Sequence, residues 1–285
     1  MSQEPPGMPD NAADGVYLFC FACPAVLPAI GGPGLEDTRA VFCEVAGGGV
    51  AVVGPVNVEE YCGPESEANL CDLAWMAPRA FHHEMVIERV MRSSPVLPAR
   101  FGTIFASPES LERFLAKHHL AISGFLDSIA GKEEWAVKGF LERSKAEKRL
   151  LETDDRFLRL PSSPGIRYMQ LQRLRADVGR AVASWAGTVV QAIGKELESE
   201  AVDVRAMKPR AHDAPEKTIE EIANWAFLLC RDTVENFREQ VEHVGARYRE
   251  QGVHLEVSGP WPPYNFCPSL VDDEESAHST AEMPD

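Results

Sequence analysis

The chain has 285 residues, of which 45% are hydrophobic and 25% charged, and its formal net charge is −16. This length fits one large domain or two small ones, and the composition is that of an ordinary soluble globule. A balance this acidic argues against nucleic acid or an anionic membrane as the main partner.

The acidic residues are concentrated at the two ends. Residues 1–15 and 270–285 together hold nine Asp and Glu residues and no Lys or Arg. We therefore predict a disordered leader over 1–13 and a disordered acidic tail over 269–285. The apolar run from Val16 to Ile30 is too short to span a membrane, contains Pro24 and Pro28, and follows an acidic leader. The sequence thus predicts neither a membrane helix nor a signal peptide, and we expect a cytoplasmic protein.

The first half of the chain predicts strands followed by helices. An apolar run predicts a strand buried on both faces, and two further strands joined by Gly47-Gly48-Gly49 predict a hairpin. These three strands are Val16–Cys23, Ala40–Val45 and Val50–Gly54. The turn-rich segment Cys62 to Asn69 predicts a loop.

Two helical regions follow in the first half. Pro78 suits a first helical position. One buried helix face is predicted by the spacing of His83, Val86, Ile87 and Val90. Ser107-Pro108 indicates another helix start, and Gly131 a C-terminal cap.

The second half alternates strands and helices in the order β-α-β-β-α-β, which is the ferredoxin-like arrangement. These elements are Glu133–Leu141, Arg167–Glu200, Ala201–Ala206, Asn224–Cys230, Asp232–Gln251 and His254–Ser258. The intervening segment, Arg143 to Pro164, predicts a loop with a short helix. We therefore predict an α+β protein with two domains, a mixed α+β domain over 14–130 and a ferredoxin-like domain over 131–268.

Chemical motifs are sparse. Cys20 and Cys23 have the spacing of a redox dithiol, but they lie in an apolar strand, which favours buried thiols. His82 and His83 are adjacent rather than four apart, so they do not match a helical zinc motif, and His83 is better interpreted as a hydrogen-bonded core histidine. The glycines match neither a P-loop nor a dinucleotide motif, and no G-x-S-x-G sequence occurs. We predict no enzyme activity, no cofactor and no metal site.

Two motifs are more distinctive. In Pro95 to Thr103, prolines favour an extended backbone around Arg100, which either forms a structural ion pair with the preceding helix or belongs to a docking surface. The segment Gly259 to Phe266 combines three prolines with three aromatic residues. It either folds back on its own domain or presents aromatic side chains to a partner.

With these motifs in this order, the sequence resembles the gas vesicle proteins GvpF/GvpL from about Val16 to Phe266. The segments that carry the resemblance are Asp72-Leu73-Ala74-Trp75, His83-Glu84, Pro98-Ala99-Arg100-Phe101-Gly102-Thr103, Gly131-Lys132-Glu133-Glu134-Trp135-Ala136-Val137-Lys138 and Gly259-Pro260-Trp261-Pro262-Pro263-Tyr264-Asn265-Phe266.

The resemblance implies a two-domain α+β protein that takes part in gas vesicle assembly and is found in the cytoplasm or at the gas vesicle. Its implied partners are the small hydrophobic shell protein and other gas vesicle accessory proteins. We predict that the partner-binding side chains belong to the two distinctive motifs: Arg100, Phe101, Trp261, Tyr264 and Phe266. Two alternatives remain open at this point, a thiol oxidoreductase that uses Cys20 and Cys23, and a ferredoxin-like regulatory domain for a small ligand.

Overall fold

The computed structural model describes residues 14–24, 33–35, 41–45, 49–64, 66–160, 162–210 and 219–270. The predicted leader, the connection at Gly47-Gly48 and the acidic tail beyond Leu270 lie outside these residues. The described chain divides into two compact units, and each is considered by itself. One unit runs to Gly131 and also takes in the chain from Pro262 onward, and the other is Lys132–Trp261. The sequence had grouped residues 262–268 with the second domain instead.

The first unit is built on an antiparallel sheet. Its strands are β1 (Asp14–Ala22), β2 (Val41–Val45), β3 (Gly49–Asn57), β4 (Val96–Pro98) and β5 (Ile104–Phe105). The order is β2-β3-β1-β4, with β5 also pairing with β1. The predicted hairpin is present, since β2 and β3 pair with Val45 opposite Gly49.

Strand β1 is buried on both sides, as its apolar run predicted. Val16 and Leu18 belong to one apolar cluster, and Tyr17, Phe19 and Cys20 belong to the other. Phe19 and Cys20 are consecutive yet reach the same cluster, because the pairing of β1 with β3 shifts register between Leu18 and Cys20. A bulge of this kind interrupts the two-residue alternation of a strand.

The described part of the first unit has four helices: α1 (Val58–Cys62), α2 (Ser66–Cys71), α3 (Leu73–Met91) and α4 (Pro108–Ile129). The loop predicted from Cys62 to Asn69 is confirmed only at Gly63 and Pro64, since Ser66 to Asn69 are helical, and the helix start at Pro78 was wrong. The Asp72 side chain accepts a hydrogen bond from the Ala74 amide, so capping begins α3 earlier and leaves Pro78 inside it.

Helices α3 and α4 pack in different apolar clusters on β1. The predicted α3 face is confirmed, because His83, Val86, Ile87 and Val90 are all buried. Helix α4 begins at the predicted Ser107, whose side chain accepts a hydrogen bond from the Ser110 amide. Gly131 follows its C-terminal end with a φ of 72°, a conformation that favours glycine, which agrees with the predicted cap.

The second unit has a four-stranded antiparallel sheet in the order β7-β8-β6-β9. Its elements along the chain are β6 (Lys132–Glu142), α5 (Arg143–Thr153), α6 (Asp155–Leu158), α7 (Pro164–Glu198), β7 (Asp203–Met207), β8 (Ile219–Cys230), α8 (Val234–Arg249) and β9 (Val253–Trp261). One apolar cluster joins α7 and α8 to β6 and β8 through Leu197, Phe237, Val137 and Phe227. The predicted α+β class is confirmed.

Two details of the second unit differ from the sequence prediction. The segment from Arg143 is mostly helical, and Arg143 has an ion pair with Glu147 one turn along α5. On α7, continuing the four- and three-residue spacing from Leu174 and Val178 predicts a buried Ala181, but Ala181 is exposed and Val182 is buried instead. The 3.6-residue turn does not match a fixed integer spacing, so a stripe drifts around a helix of 35 residues.

Candidate functional site

The structure separates the five predicted partner-binding residues into two groups. Phe101 and Tyr264 pack into the same apolar cluster of the first unit, and Phe266 packs into the other cluster there. Arg100 is exposed, and Trp261 is 44% exposed and donates its indole N–H to Ser258 Oγ at 3.1 Å. Three of the five side chains are thus part of the fold, whereas two face solvent.

The packed residues converge on His83, which is 1% exposed on α3. Its Nδ1 lies 2.9 Å from the Tyr17 hydroxyl, and its Nε2 lies 3.2 Å from the carbonyl oxygen of Ala99. The Gly102 amide donates to the same Tyr17 oxygen at 3.1 Å. These distances fit a neutral imidazole in which Nδ1 accepts from Tyr17 and Nε2–H donates to Ala99. The interpretation of His83 as a hydrogen-bonded core histidine is confirmed.

Tyr264 connects the C-terminal segment to the same place. Its hydroxyl donates to Glu84 Oε1 at 2.7 Å and lies 3.4 Å from His83 Nε2. We call Tyr17, His83, Glu84 and Tyr264, with the backbone of residues 99–102, the motif junction. It brings together three of the sequence motifs, since His83 and Glu84 form the His-Glu pair, Tyr264 belongs to the closing aromatic segment, and the backbone of residues 99–102 belongs to the Arg100 motif.

Aromatic rings enclose the His83 imidazole. The Phe19 ring stacks on it at 5.9 Å between centroids, and the Tyr17 and Phe101 rings approach it edge-on at 5.6 and 5.8 Å. Such rings withdraw the imidazole from water, and an apolar surrounding disfavours its charged form.

The environment of the motif junction sets its protonation. Burial lowers the pKa of His83 to about 4, although its hydrogen bond to Ala99 works in the opposite direction. Burial also raises the pKa of Tyr17, while its bond from the Gly102 amide opposes the rise. Burial raises the pKa of Glu84, against the hydrogen bond from Tyr264. Since burial raises the pKa of Tyr264 as well, the histidine and both tyrosines are neutral near pH 7, and the hydrogen bonds of the junction tie its segments together.

Arg100 does not form the structural ion pair that was one of its two sequence interpretations. Its side chain is exposed and has no carboxylate partner among the described residues. Its carbonyl oxygen instead accepts hydrogen bonds from the amide and the hydroxyl of Thr103, at 3.1 and 2.7 Å. These bonds close a turn that contains Gly102, whose φ of 82° favours glycine. The turn fixes the backbone and leaves the guanidinium in solvent.

The geometry of Cys20 and Cys23 does not favour the dithiol hypothesis. Cys20 is fully buried in β1, and burial raises the pKa of its thiol. Cys23 packs against the other apolar cluster of the first unit. A redox pair needs an accessible thiol of lowered pKa, and Cys20 has the opposite properties.

Sequence reasoning missed Tyr17 and Glu84 as partners in the motif junction. A tyrosine in an apolar strand was a usable signal, because a buried hydroxyl needs a hydrogen-bond partner. Among the described residues, no group of three or more His, Cys, Asp or Glu side chains is placed to hold a metal ion. None of the helices in this part of the chain combines the length and apolar character that a membrane crossing requires.

Comparison with known proteins gives a family match across both units. The family model described as "Gas vesicle synthesis protein GvpL/GvpF" matches residues 15–268. Gas vesicle protein L of Streptomyces sp. (strain CB03234) is 28% identical over 235 residues, which covers 82% of this chain and 84% of that protein. Gas vesicle protein L1 of Halobacterium salinarum is 23% identical over 276 residues, covering 91% and 92% of the two chains.

Two solved structures share the fold. The crystal structure of gas vesicle protein GvpF from Anabaena sp. PCC7120 has a TM-score of 0.66 at 19% identity, covering 90% of this chain and 97% of that one. The structure of GvpF from Microcystis aeruginosa has a TM-score of 0.61 at 18% identity, covering 90% and 99%. At these identities the likeness concerns the fold alone.

Proposed function

Because this chain belongs to the gas vesicle synthesis protein GvpL/GvpF family, we propose that it takes part in gas vesicle assembly by binding the small hydrophobic shell protein. A role connected with gas vesicles follows from membership, and the binding step is the proposal. The observation that carries it is the family match over residues 15–268, which includes both units. Other gas vesicle accessory proteins are proposed as further partners, and the cytoplasm and the gas vesicle as its location.

The tendency of a free shell subunit to aggregate supports the proposal that a soluble protein binds it. A shell subunit that buries its apolar face only after polymerising exposes that face while it is free, and large exposed apolar patches promote aggregation. This chain carries a formal charge of −16, so a complex with it would repel other copies of the complex. Covering the apolar face and adding charge would together keep the shell protein dispersed until it is incorporated.

The positions of the motif residues narrow the proposed contact surface. Tyr264 and Phe101 are engaged in the motif junction, so their removal would act first on stability. Trp261 presents a large ring that is 44% exposed, and Arg100 presents a free guanidinium. Tryptophan and arginine are the residue types that most often supply binding energy at protein interfaces. We therefore assign contacts with the shell protein to Arg100 in the first unit and to Trp261 in the second, each considered by itself.

The test is co-expression of the full chain with its cognate small shell protein. The amount of shell protein that stays soluble and co-purifies with a tag on this chain is measured, and the shell protein expressed alone is the control. Soluble co-purification supports the proposal. If the shell protein aggregates as fully with the chain as without it, direct binding is excluded, and the role in assembly would have to run through other accessory proteins.

A further inference from the structure

A positively charged surface stands out on the second unit. Residues 143–180 contain ten Lys and Arg and five Asp and Glu, although the whole chain has a net charge of −16. We give the name basic face to four residues: Arg159, which follows α6, and Ile166, Met169 and Arg173 in the first three turns of α7. All four of these side chains are exposed.

An open groove of about 440 Å³ runs between α6 and α7. Arg156, Arg159 and Arg173 line it, together with Leu160, Leu174, Gln170, Asp155 and Asp177. Asp177 is already paired with Arg156 at 2.9 Å and with Arg180 at 2.6 Å. Arg159 and Arg173 have no carboxylate partner among the described residues. The groove therefore offers two guanidinium groups whose charge is not used inside the protein.

Large apolar side chains lie beside these arginines. Ile166 is 54% exposed and Met169 is 60% exposed. Ile166, Met169 and Arg173 follow one another at spacings of three and four residues, which places them on one side of α7. Arg173 lines the groove, so that side of α7 continues the groove wall. Isolated exposed apolar residues are common, but a group next to unpaired cations has the composition of a binding surface.

We propose that the basic face binds an acidic amphipathic helix of a partner protein. Carboxylates of that helix pair with Arg159 and Arg173, and its apolar side covers Ile166 and Met169. A groove between two helices suits a third helix, and arginine forms paired hydrogen bonds with carboxylates. The net charge of −16 repels extended polyanions such as nucleic acid or an anionic membrane. A short acidic helix contacts only the basic face, where the local charge is positive. This inference does not depend on the proposed binding of shell protein.

The test uses the full chain and two synthetic helical peptides. One peptide has Leu on one side and Glu on the other, and the second has Lys in place of every Glu. Fluorescence anisotropy should show binding of the Glu peptide, weakening with added salt because the contact is electrostatic, and much weaker binding of the Lys peptide. Replacing both arginines (Arg159→Glu with Arg173→Glu) should weaken binding of the Glu peptide by about tenfold or more, since each pair changes from attraction to repulsion.

The apolar half of the face has a matched control. The double substitution Ile166→Ser with Met169→Ser should also weaken binding of the Glu peptide. The control is Leu73→Ser with Phe81→Ser on α3, where the side chains are 68% and 62% exposed and Arg79 of the same helix is engaged by Glu60. This control should leave the affinity unchanged. Equal melting temperatures for all variants and wild type show that the fold is retained.

Several results would overturn the inference. It fails if both peptides bind equally, if the arginine reversals leave the affinity unchanged, or if the α3 control weakens binding as much as the basic-face variants. Tighter binding to phosphatidylglycerol vesicles than to the Glu peptide would assign the face to a membrane. Self-association of wild type that the reversals abolish would assign it to a second copy of the chain. Shell-protein co-purification is a separate measurement, so either proposal can fail without the other.

Discussion

His83 in the first unit is 1% exposed and hydrogen-bonded through both ring nitrogens, whereas Arg159 and Arg173 in the second unit are exposed and lack carboxylate partners among the described residues. The motif junction contains several of the residues that carry the family resemblance, yet their polar atoms are hydrogen-bonded inside the fold. The basic face belongs to no motif, yet its charges are available. A recognisable motif can therefore reflect what the fold needs, and binding groups are better sought among polar side chains that the fold leaves unsatisfied.

The largest change in the free energy of unfolding is expected from His83→Ala. The change would open a cavity and leave the Tyr17 hydroxyl and the Ala99 carbonyl without their partner, so the free energy of unfolding should fall by about 3 kcal/mol or more. Urea denaturation measures it. The neighbouring histidine is the control, since His82 is only half-buried and His82→Ala should change stability by no more than about 0.5 kcal/mol. Similar losses from both substitutions would show that the junction has no special role.

The second largest loss of stability is expected on acidification, which should weaken the motif junction. The pKa of His83 is about 4 in the folded protein against an ordinary value of 6.5, so the unfolded state takes up a proton first as the pH falls. The contribution of neutral His83 to stability is fully present above pH 6.5 and is lost as the pH falls from 6.5 towards 4. Between about pH 7 and pH 5, the contribution of His83 to the free energy of unfolding should fall by about 2 kcal/mol.

The comparison that isolates this contribution is wild type against His83→Gln, because Glu84 is present in both. Burial raises the pKa of Glu84, which gives a pH dependence of opposite sign and would otherwise mask part of the effect. The wild type should lose more stability on acidification than the variant. Equal losses in the two proteins would mean that His83 is not the buried neutral group described above.

Tyr264→Phe should have a smaller effect, because it removes only the hydroxyl that donates to Glu84. Loss of a hydrogen bond to a carboxylate should lower the free energy of unfolding by about 1.5 kcal/mol. A double-mutant cycle with Glu84→Gln should show that the two changes are not additive. Tyr168 is 64% exposed, so Tyr168→Phe is the matched control and should leave stability unchanged. Additive effects of Tyr264→Phe and Glu84→Gln would argue against a direct tie.

The smallest effect on stability should come from the basic face. Arg159→Ala with Arg173→Ala removes no ion pair among the described residues, so the free energy of unfolding should change by no more than about 0.5 kcal/mol. Thermal or urea unfolding measures it. A loss well above that would mean that these arginines stabilise the fold, and the contrast between the two regions would disappear.

Local patterns in the sequence predicted most of the fold. The apolar run of β1, the helix face of His83, Val86 and Val90, and the glycine at 131 each depend on near neighbours in the chain, and each is found where it was expected. The start of α3 was wrong because a cap at Asp72 outweighed the preference of Pro78 for a first helical position.

The motif junction could be predicted only in part. The buried histidine followed from helical spacing, but its partners are 66 and 181 residues away in sequence, at Tyr17 and Tyr264. Contacts at such separations are set by the packing of the whole unit, which spacing does not encode. For the same reason, the sequence predicted all five aromatic and basic motif residues as partner-binding side chains, although three are packed in the fold and two are exposed.

In the proposed division of roles, the motif junction stabilises the fold and the exposed motif residues contact the shell protein. The most direct test compares how much soluble shell protein co-purifies, per mole of folded chain, with wild type, with Tyr264→Phe and with Arg100→Ala combined with Trp261→Ala. We expect Tyr264→Phe to retain the shell protein despite its lower stability. The variant with Arg100→Ala and Trp261→Ala should lose most of the shell protein at unchanged stability. The opposite result would rule out this division of roles: the variant with Arg100→Ala and Trp261→Ala would bind the shell protein normally, and folded Tyr264→Phe would not bind it.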